Sequence, residues 1–321
     1  MPAIRVDAVG ESDIGLVRER NEDVFLIVDL GGGHSLGAGQ HHLEVGDRGL
    51  VFAVLDGMGG AAGGDRASRL ASEVFTDAVL AAHPTSRPEL VESVIDAVEE
   101  ANRQIREEAL AEPGLQGMGT TLTAAAVIDD TLVVVHVGDS RAYLSRNGRL
   151  VQVTEDQSLI QELVATGQIP PEEVPLFEHN NVILQALGVT EALRPFAAEI
   201  PLQDGDLLLL CTDGLTTTVP HEEIAEALTK QGESLEATAR ALTSLARMHG
   251  GHDNVTLVLG RFEGAALPST APGSAAAGDP SVRRLVVPTR RRAGLSPMAL
   301  VVLAVLLMAV VAGVILLIGM D

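Results

Sequence analysis

TLVVVHVGDSRAYLSRNGRLVQVT, residues 131–154, is the stretch on which the fold turns. Two runs rich in β-formers, Thr131 to Val137 and Ala142 to Thr154, follow one another, and Asn147-Gly148 splits the second into Tyr143 to Arg146 and Arg149 to Val153. An Asn-Gly pair between such runs favours a two-residue turn with positive φ, so the second run closes as a hairpin beside the first. Further short β-rich runs lie at Val24 to Val28, Leu50 to Leu55, Thr120 to Ile128, Leu207 to Leu210 and Val255 to Leu259. Apolar residues at helical spacing mark Arg66 to Ala82 and Glu89 to Leu110, the latter repeating at Leu90, Val94, Ala97, Val98, Ala101 and Ile105. Two more helices, His221 to Thr229 and Leu235 to Met248, precede the last strand. Runs of hairpins with grouped helices predict an α+β domain of antiparallel sheets covered by helices, not an alternating Rossmann fold.

The 321 residues, 46% of them apolar, suffice for a large core. Formal charge is −22; the tail from Glu263 onward contributes five Arg against three acids, which leaves residues 1–262 at −24. Such a surface repels nucleic-acid backbones, so no nucleic-acid partner is expected. The single cysteine, Cys211, ends the apolar run Leu207 to Cys211 and reads as a small buried hydrophobe in a reducing compartment. Residues 1–20 hold Arg5, Asp7, Glu11 and Asp13 and no apolar core, so no secretory signal peptide is expected.

Met298 to Met320 runs 23 residues without a charge. As a helix it would be about 34 Å long, enough to span a bilayer. Arg283, Arg284, Arg290, Arg291 and Arg292 all precede it and only Asp321 follows, so the positive-inside rule places residues 1–297 in the cytoplasm. The expected organisation is a folded cytoplasmic domain over 1–262, a disordered linker over 263–297 with a basic juxtamembrane end, and a transmembrane helix over 298–320, giving a single-pass cell-membrane protein. Residues 31–49, rich in Gly and His, read as a mobile surface insertion without chemistry, and Ser158 to Asp204 as a lid or flap with a short helix at Leu159 to Thr166.

Chemistry concentrates where apolar strands stop or start. Asp23 follows Asn21-Glu22, Asp56 ends Leu50 to Leu55 and precedes Gly57-Met58-Gly59-Gly60, Asp213 stands in Cys211-Thr212-Asp213-Gly214, and Asp253 in Gly251-His252-Asp253-Asn254. Carboxylates at strand ends can converge, and converging anions repel unless hard cations neutralise them. The glycines after Asp56 lack the Lys-Ser/Thr of a phosphate loop, so they read as room for close backbone approach, with Asp56 bridging two cations and the Gly57 carbonyl adding an oxygen. Oxygen-only ligands favour Mg²⁺ or Mn²⁺ over zinc.

Taken in order, Ser12-Asp13-Ile14-Gly15-Leu16-Val17-Arg18-Glu19-Arg20-Asn21-Glu22-Asp23, Asp56-Gly57-Met58-Gly59-Gly60, Gly119-Thr120-Thr121, Gly138-Asp139-Ser140-Arg141, Cys211-Thr212-Asp213-Gly214 and Gly251-His252-Asp253-Asn254 resemble the metal-dependent serine/threonine protein phosphatases of type 2C. The likeness is to the bacterial branch and covers roughly residues 5–262. It implies a four-layer α-β-β-α sandwich of two antiparallel sheets flanked by helices. It implies that Asp56, the Gly57 carbonyl, Asp213 and Asp253 hold two ions, that Glu22 reaches a metal through water, and that Asp139 with Asp213 holds a third. Arg18 matches the arginine that grips the substrate phosphate, with Arg20 as the alternative; a planar guanidinium suits phosphate oxygens.

Two cations acting on a bridging water would remove the need for a protein nucleophile. The resemblance therefore implies hydrolysis of phosphoserine and phosphothreonine on cytoplasmic proteins, with membrane-associated Ser/Thr kinases and their targets as partners. Met58 stands where eukaryotic members carry a histidine, and Gln157 where members often carry one after Asp156, so neither position is expected to donate a proton. Alternatives are a non-catalytic, membrane-tethered binding module of the same fold and a phosphatase of small phosphoesters.

Overall fold

Alternation of polar and apolar residues builds the first strand, β1 (Arg5–Asp13), in which Val6 and Ala8 face one way and Val9 the other. The computed structural model describes residues 4–59, 63–170, 173–174, 182–230, 234–269 and 280–287. After β1 come β2 (Asp23–Asp29), β3 (His34–Leu36), β4 (Gly39–Glu44) and β5 (Leu50–Met58), then the paired helices α1 (Gly63–Ala82) and α2 (Arg87–Ala111). Pro88 near the start of α2 is tolerated because the first amides of a helix have no intrahelical acceptor. A short β6 (Gly119–Thr120) leads to β7 (Leu122–Ile128), β8 (Thr131–Val137), β9 (Arg141–Arg146) and β10 (Arg149–Gln152). The rest is α3 (Leu159–Ala165), β11 (Phe196–Pro201), β12 (Leu207–Cys211), α4 (Asp213–Thr216), α5 (His221–Thr229), α6 (Leu235–Met248), β13 (Val255–Glu263) and β14 (Arg283–Arg284).

Two antiparallel sheets result, one ordered β10-β9-β12-β13-β1-β4 and the other β14-β11-β8-β7-β5-β2-β3, with β6 added to β5. Their facing sides share a core of Val6, Ala8, Ile27, Phe52, Val54, Leu144, Leu210, Val258 and Phe262. The outer side of the second sheet packs on α1 and α2 through Val51, Leu55, Phe75, Val94 and Ile105. The outer side of the first packs on α5 and α6 through Val9, Leu209, Leu257, Ile224 and Leu242. Helix, sheet, sheet, helix is the expected α+β layering. The β9–β10 turn is as expected, with Asn147 and Gly148 at φ 53° and 79°. However, β8 does not pair with β9: it pairs with β7 and β11, and the chain crosses between sheets at Gly138, whose φ is 116°.

Residues 31–49 are not a mere surface insertion. They hold β3 on one sheet and β4 on the other, and so form a crossover along the sandwich edge. Short edge strands with Gly and His carry too little apolar periodicity to announce themselves. The Ser158 to Asp204 stretch likewise contains β11, which the expected flap had absorbed. The region from 263 is tied down partway: Arg283–Arg284 adds to the edge of β11, and Leu285 donates its N–H to the Ala197 carbonyl at 2.8 Å. Compact contacts thus extend to Val287. Among the described residues no helix is long and apolar enough to cross a membrane; the predicted span at 298–320 lies outside them.

Candidate active site

Register alone brings the carboxylates together. Asp23 opens β2 directly opposite Asp56 near the end of β5. At the same end of the sandwich β1 finishes at Asp13 opposite Val255, the start of β13, and β12 finishes at Cys211 opposite Arg141, the start of β9. The residues just beyond these ends are Asp213, Asp253 and Asp139.

Each Asp-Gly pair is set by a close backbone approach. A Cβ at Gly57 would lie 2.3 Å from the Gly64 carbonyl oxygen and 2.6 Å from that of Glu22; at Gly214 it would lie 1.9 Å from the Asn254 carbonyl oxygen. Side chains there are excluded, and the neighbouring Asp56 and Asp213 are fixed by the same contacts. The Asp56 backbone is held further by Thr121: its N–H donates to Thr121 Oγ1 at 3.0 Å, and its carbonyl accepts from the Thr121 N–H at 2.9 Å. Thr121 Oγ1 also meets Ser140 Oγ at 2.8 Å, which couples β5 to the Asp139 crossover.

The loop between β1 and β2 is fastened by Asn254, a residue to which the sequence analysis assigned no role. Its Nδ2 donates to the carbonyls of Ile14 and Arg20 at 3.0 and 2.9 Å, and its Oδ1 accepts the Glu22 N–H at 2.9 Å. Only the adjacency to Asp253 could have marked it. Arg18, on this loop, donates from Nη2 to Asp253 Oδ2 at 2.7 Å and is half exposed. Thr212 donates from Oγ1 to Asp23 Oδ2 at 2.9 Å.

Of the other expected residues, Gln157 is a brace: it accepts the Gly138 N–H through Oε1 at 3.0 Å and donates from Nε2 to the Arg194 carbonyl. Arg141 makes a forked pair with Asp156 and reaches Tyr143 Oη. Cys211 is fully buried, and burial pushes its thiol up to about 12, which leaves it inert near neutrality.

Electrostatics give the cluster its character. Burial, then the charges of Asp23 and Asp213, holds Asp56 well above the carboxylate range. Burial lifts Asp23 to about 7 against the opposing Thr212 hydrogen bond. Asp139 is likewise raised to about 7 by burial and then by Asp213, and its Oδ1 is buried without a hydrogen-bond partner. Asp213 is raised by burial and then by Asp253, and Glu22 by burial against Arg18. Five carboxyl groups thus resist ionisation together, opposed by Arg18 on Asp253 and by Arg141 beside Asp139 and Asp213. Among the described residues no three such side chains are drawn into a finished coordination sphere. The oxygen-only donors, the mutual repulsion and the orphaned Asp139 oxygen nonetheless fit hard divalent cations, which would offset all three at once.

A family model described as protein phosphatase 2C matches residues 39–248. The serine/threonine phosphatase stp of Listeria welshimeri is 40% identical over 230 residues, covering 68% of this chain and 90% of that protein. The serine/threonine protein phosphatase PstP of Mycobacterium tuberculosis is 39% identical over 250 residues, 77% of this chain and 43% of that longer protein. A crystal structure of the PstP catalytic domain in complex with two manganese ions superposes with a TM-score of 0.66 at 35% identity, covering 81% of this chain and 99% of that one. The chain belongs to the protein phosphatase 2C family. It is a metal-dependent serine/threonine phosphatase of the bacterial kind, with Mn²⁺ or Mg²⁺ as its cofactor.

Proposed function

We propose that the protein is a membrane-tethered phosphatase that hydrolyses phosphoserine and phosphothreonine on cytoplasmic proteins and opposes Ser/Thr protein kinases. The observation that carries the catalytic reading is the convergence of Asp23, Asp56, Asp139, Asp213 and Asp253 at one end of the sandwich, with Arg18 poised on Asp253. In this reading Asp56, the Gly57 carbonyl, Asp213 and Asp253 hold two ions, Glu22 acts through water, and Asp139 with Asp213 serves a third. When bound, such ions acidify water and neutralise phosphoryl charge.

The chain's own residues do the rest. Arg18, half exposed, offers the guanidinium face not used by Asp253 to the phosphate and stabilises the charge that grows on its oxygens. Asn254 keeps Arg18 and Glu22 in register by closing their loop. Gln157 and Thr121 fix the crossover that carries Asp139.

Tethering rests on the uncharged stretch Met298 to Met320 and the arginines before it. A membrane address would concentrate the enzyme on membrane-associated kinases and their targets. The purified full chain is assayed on a phosphothreonine peptide with Mn²⁺, with EDTA, and as Asp56→Asn. Phosphate release that needs both the metal and Asp56 is expected; undiminished release by Asp56→Asn would remove the dinuclear reading. Fractionation of cells with an N-terminal tag tests the anchor, and recovery in the soluble fraction would refute it.

A further inference from the structure

Nine large apolar side chains stand exposed among the described residues, and six of them fall on two short segments, 14–17 and 182–189. Ile14, Leu16 and Val17 are 39%, 58% and 62% exposed on the loop that carries Arg18. Val182, Leu184 and Val189 are 40%, 45% and 49% exposed on the segment that returns toward β11. Val189 of the second group comes close to the site at Gly119, where an added Cβ would lie 2.8 Å from Val189 Cγ2 and 3.6 Å from Met58 Cγ; Met58 directly follows Gly57.

Neither rim is loose. The Leu16 N–H donates to the Gly251 carbonyl at 2.7 Å, and its side chain lies over Gly251, two residues before Asp253. The Gly15 N–H donates to Asp13 Oδ1 at 2.7 Å, and Asn254 holds Ile14 from the other side. On the second segment, the Leu184 N–H donates to the Gln157 carbonyl, and Leu187 exchanges two backbone hydrogen bonds with Thr120. Folding gains nothing by presenting apolar groups to water on fastened backbone, and such groups beside a reactive centre mark a contact surface.

We propose that these rims form a docking surface for the polypeptide around the phosphoresidue, and that they select extended segments with apolar side chains next to the phosphothreonine or phosphoserine. The inference rests on the phosphatase reading above and adds the substrate class. The occupant follows from place and charge: the 14–17 rim adjoins Arg18, Val189 of the other rim lies near Met58, and a chain of net charge −22 repels acidic flanks. A side chain seated against Leu16 or Val17 would bury enough surface for about a tenfold change in kcat/KM.

The test uses the full chain with Mn²⁺, two phosphothreonine peptides with Leu/Val or Glu/Ser flanks, and p-nitrophenyl phosphate. Leu16→Ser and Val17→Ser are exposed changes that touch no carboxylate. The wild type is expected to favour the Leu/Val peptide about tenfold. Each variant should lose most of that preference through KM while its turnover of p-nitrophenyl phosphate stays level. Equal turnover of both peptides by the wild type, or an undiminished preference in both variants, overturns the docking surface while leaving the phosphatase intact. Failure of the wild type to cleave p-nitrophenyl phosphate and both peptides would strike the phosphatase reading itself, and the inference with it.

Discussion

At the scale of single residues, the site is built less by its carboxylates than by what presses on their backbones. Gly57 has the Gly64 and Glu22 carbonyl oxygens where a methyl group would go, so Gly57→Ala must push β5 away from the start of α1. Loss of 2–4 kcal/mol of stability, about the cost of overpacking, and near-complete loss of Mn²⁺-dependent turnover are expected from denaturant melts and peptide assays. Wild-type values for both would show that the approach is not required. His136 is fully buried, its Nδ1 against Thr123 Oγ1 and its Nε2 without a partner, and burial lowers its pKa to about 4. Folding therefore favours the neutral ring. Its contribution is whole above pH 6.5 and is lost as pH falls toward 4, at most about 3 kcal/mol. His136→Gln should flatten stability between pH 6.5 and 4, and an unchanged slope would place the acid sensitivity elsewhere. Asp56, Asp213 and Asp253 stood out in the sequence because a carboxylate where an apolar run ends has few structural reasons to be there. The bracing roles of Asn254 and Thr121 did not, because they join segments 19 to 240 residues apart and no local pattern records that.

Most elements were readable in proportion to their periodicity, although β1, nine residues with an alternating pattern, was not marked. The helices at 221–229 and 235–248 and the Asn147-Gly148 hairpin fall where the pattern put them, since amphipathic spacing and turn chemistry are local. β3, β4 and β14 were missed because two- to six-residue edge strands bury little, and pairing partners far along the chain decide them. β14 is the telling case, because Arg283 and Arg284 read as juxtamembrane charge. Instead Arg283 pairs with Glu199 and Arg284 with Glu155, and Arg284 also lies over the Phe196 ring at 5.3 Å. The Arg284–Glu155 pair is exposed on both sides and contributes only about 0.2–1 kcal/mol, whereas Glu199 is buried and depends more on Arg283. Replacing both arginines by Glu sets like charges against Glu155 and Glu199. Faster amide exchange along β11 is expected, with a loss of global stability of about 1–3 kcal/mol because the buried Glu199 loses its partner. Exchange in β11 that stays at the wild-type rate would mean that β14 does not depend on these pairs.

For the whole molecule, the question is how a chain of net charge −22 keeps several carboxylates crowded at one end of a tightly packed sandwich. The three apolar clusters supply the stability, and the carboxylate end draws on it, since burial and mutual repulsion raise Asp56, Asp23, Asp139 and Asp213 together. Under the proposed site assignment, an end that opposes folding is the usual trade between activity and stability. It also fixes the sign of the metal's effect. A cation that binds only the folded chain adds about 2.7 kcal/mol at a hundredfold excess over its dissociation constant. Removing one repelling carboxylate adds stability without any metal. Thermal melts at pH 8 should therefore show wild-type protein gaining stability in Mn²⁺ and losing it in EDTA. Asp56→Asn should melt above wild type in EDTA and gain little from Mn²⁺. A variant that melts lower than wild type in EDTA would show that Asp56 supports the fold more than it strains it, and a wild type indifferent to Mn²⁺ would separate the cluster from the cation altogether.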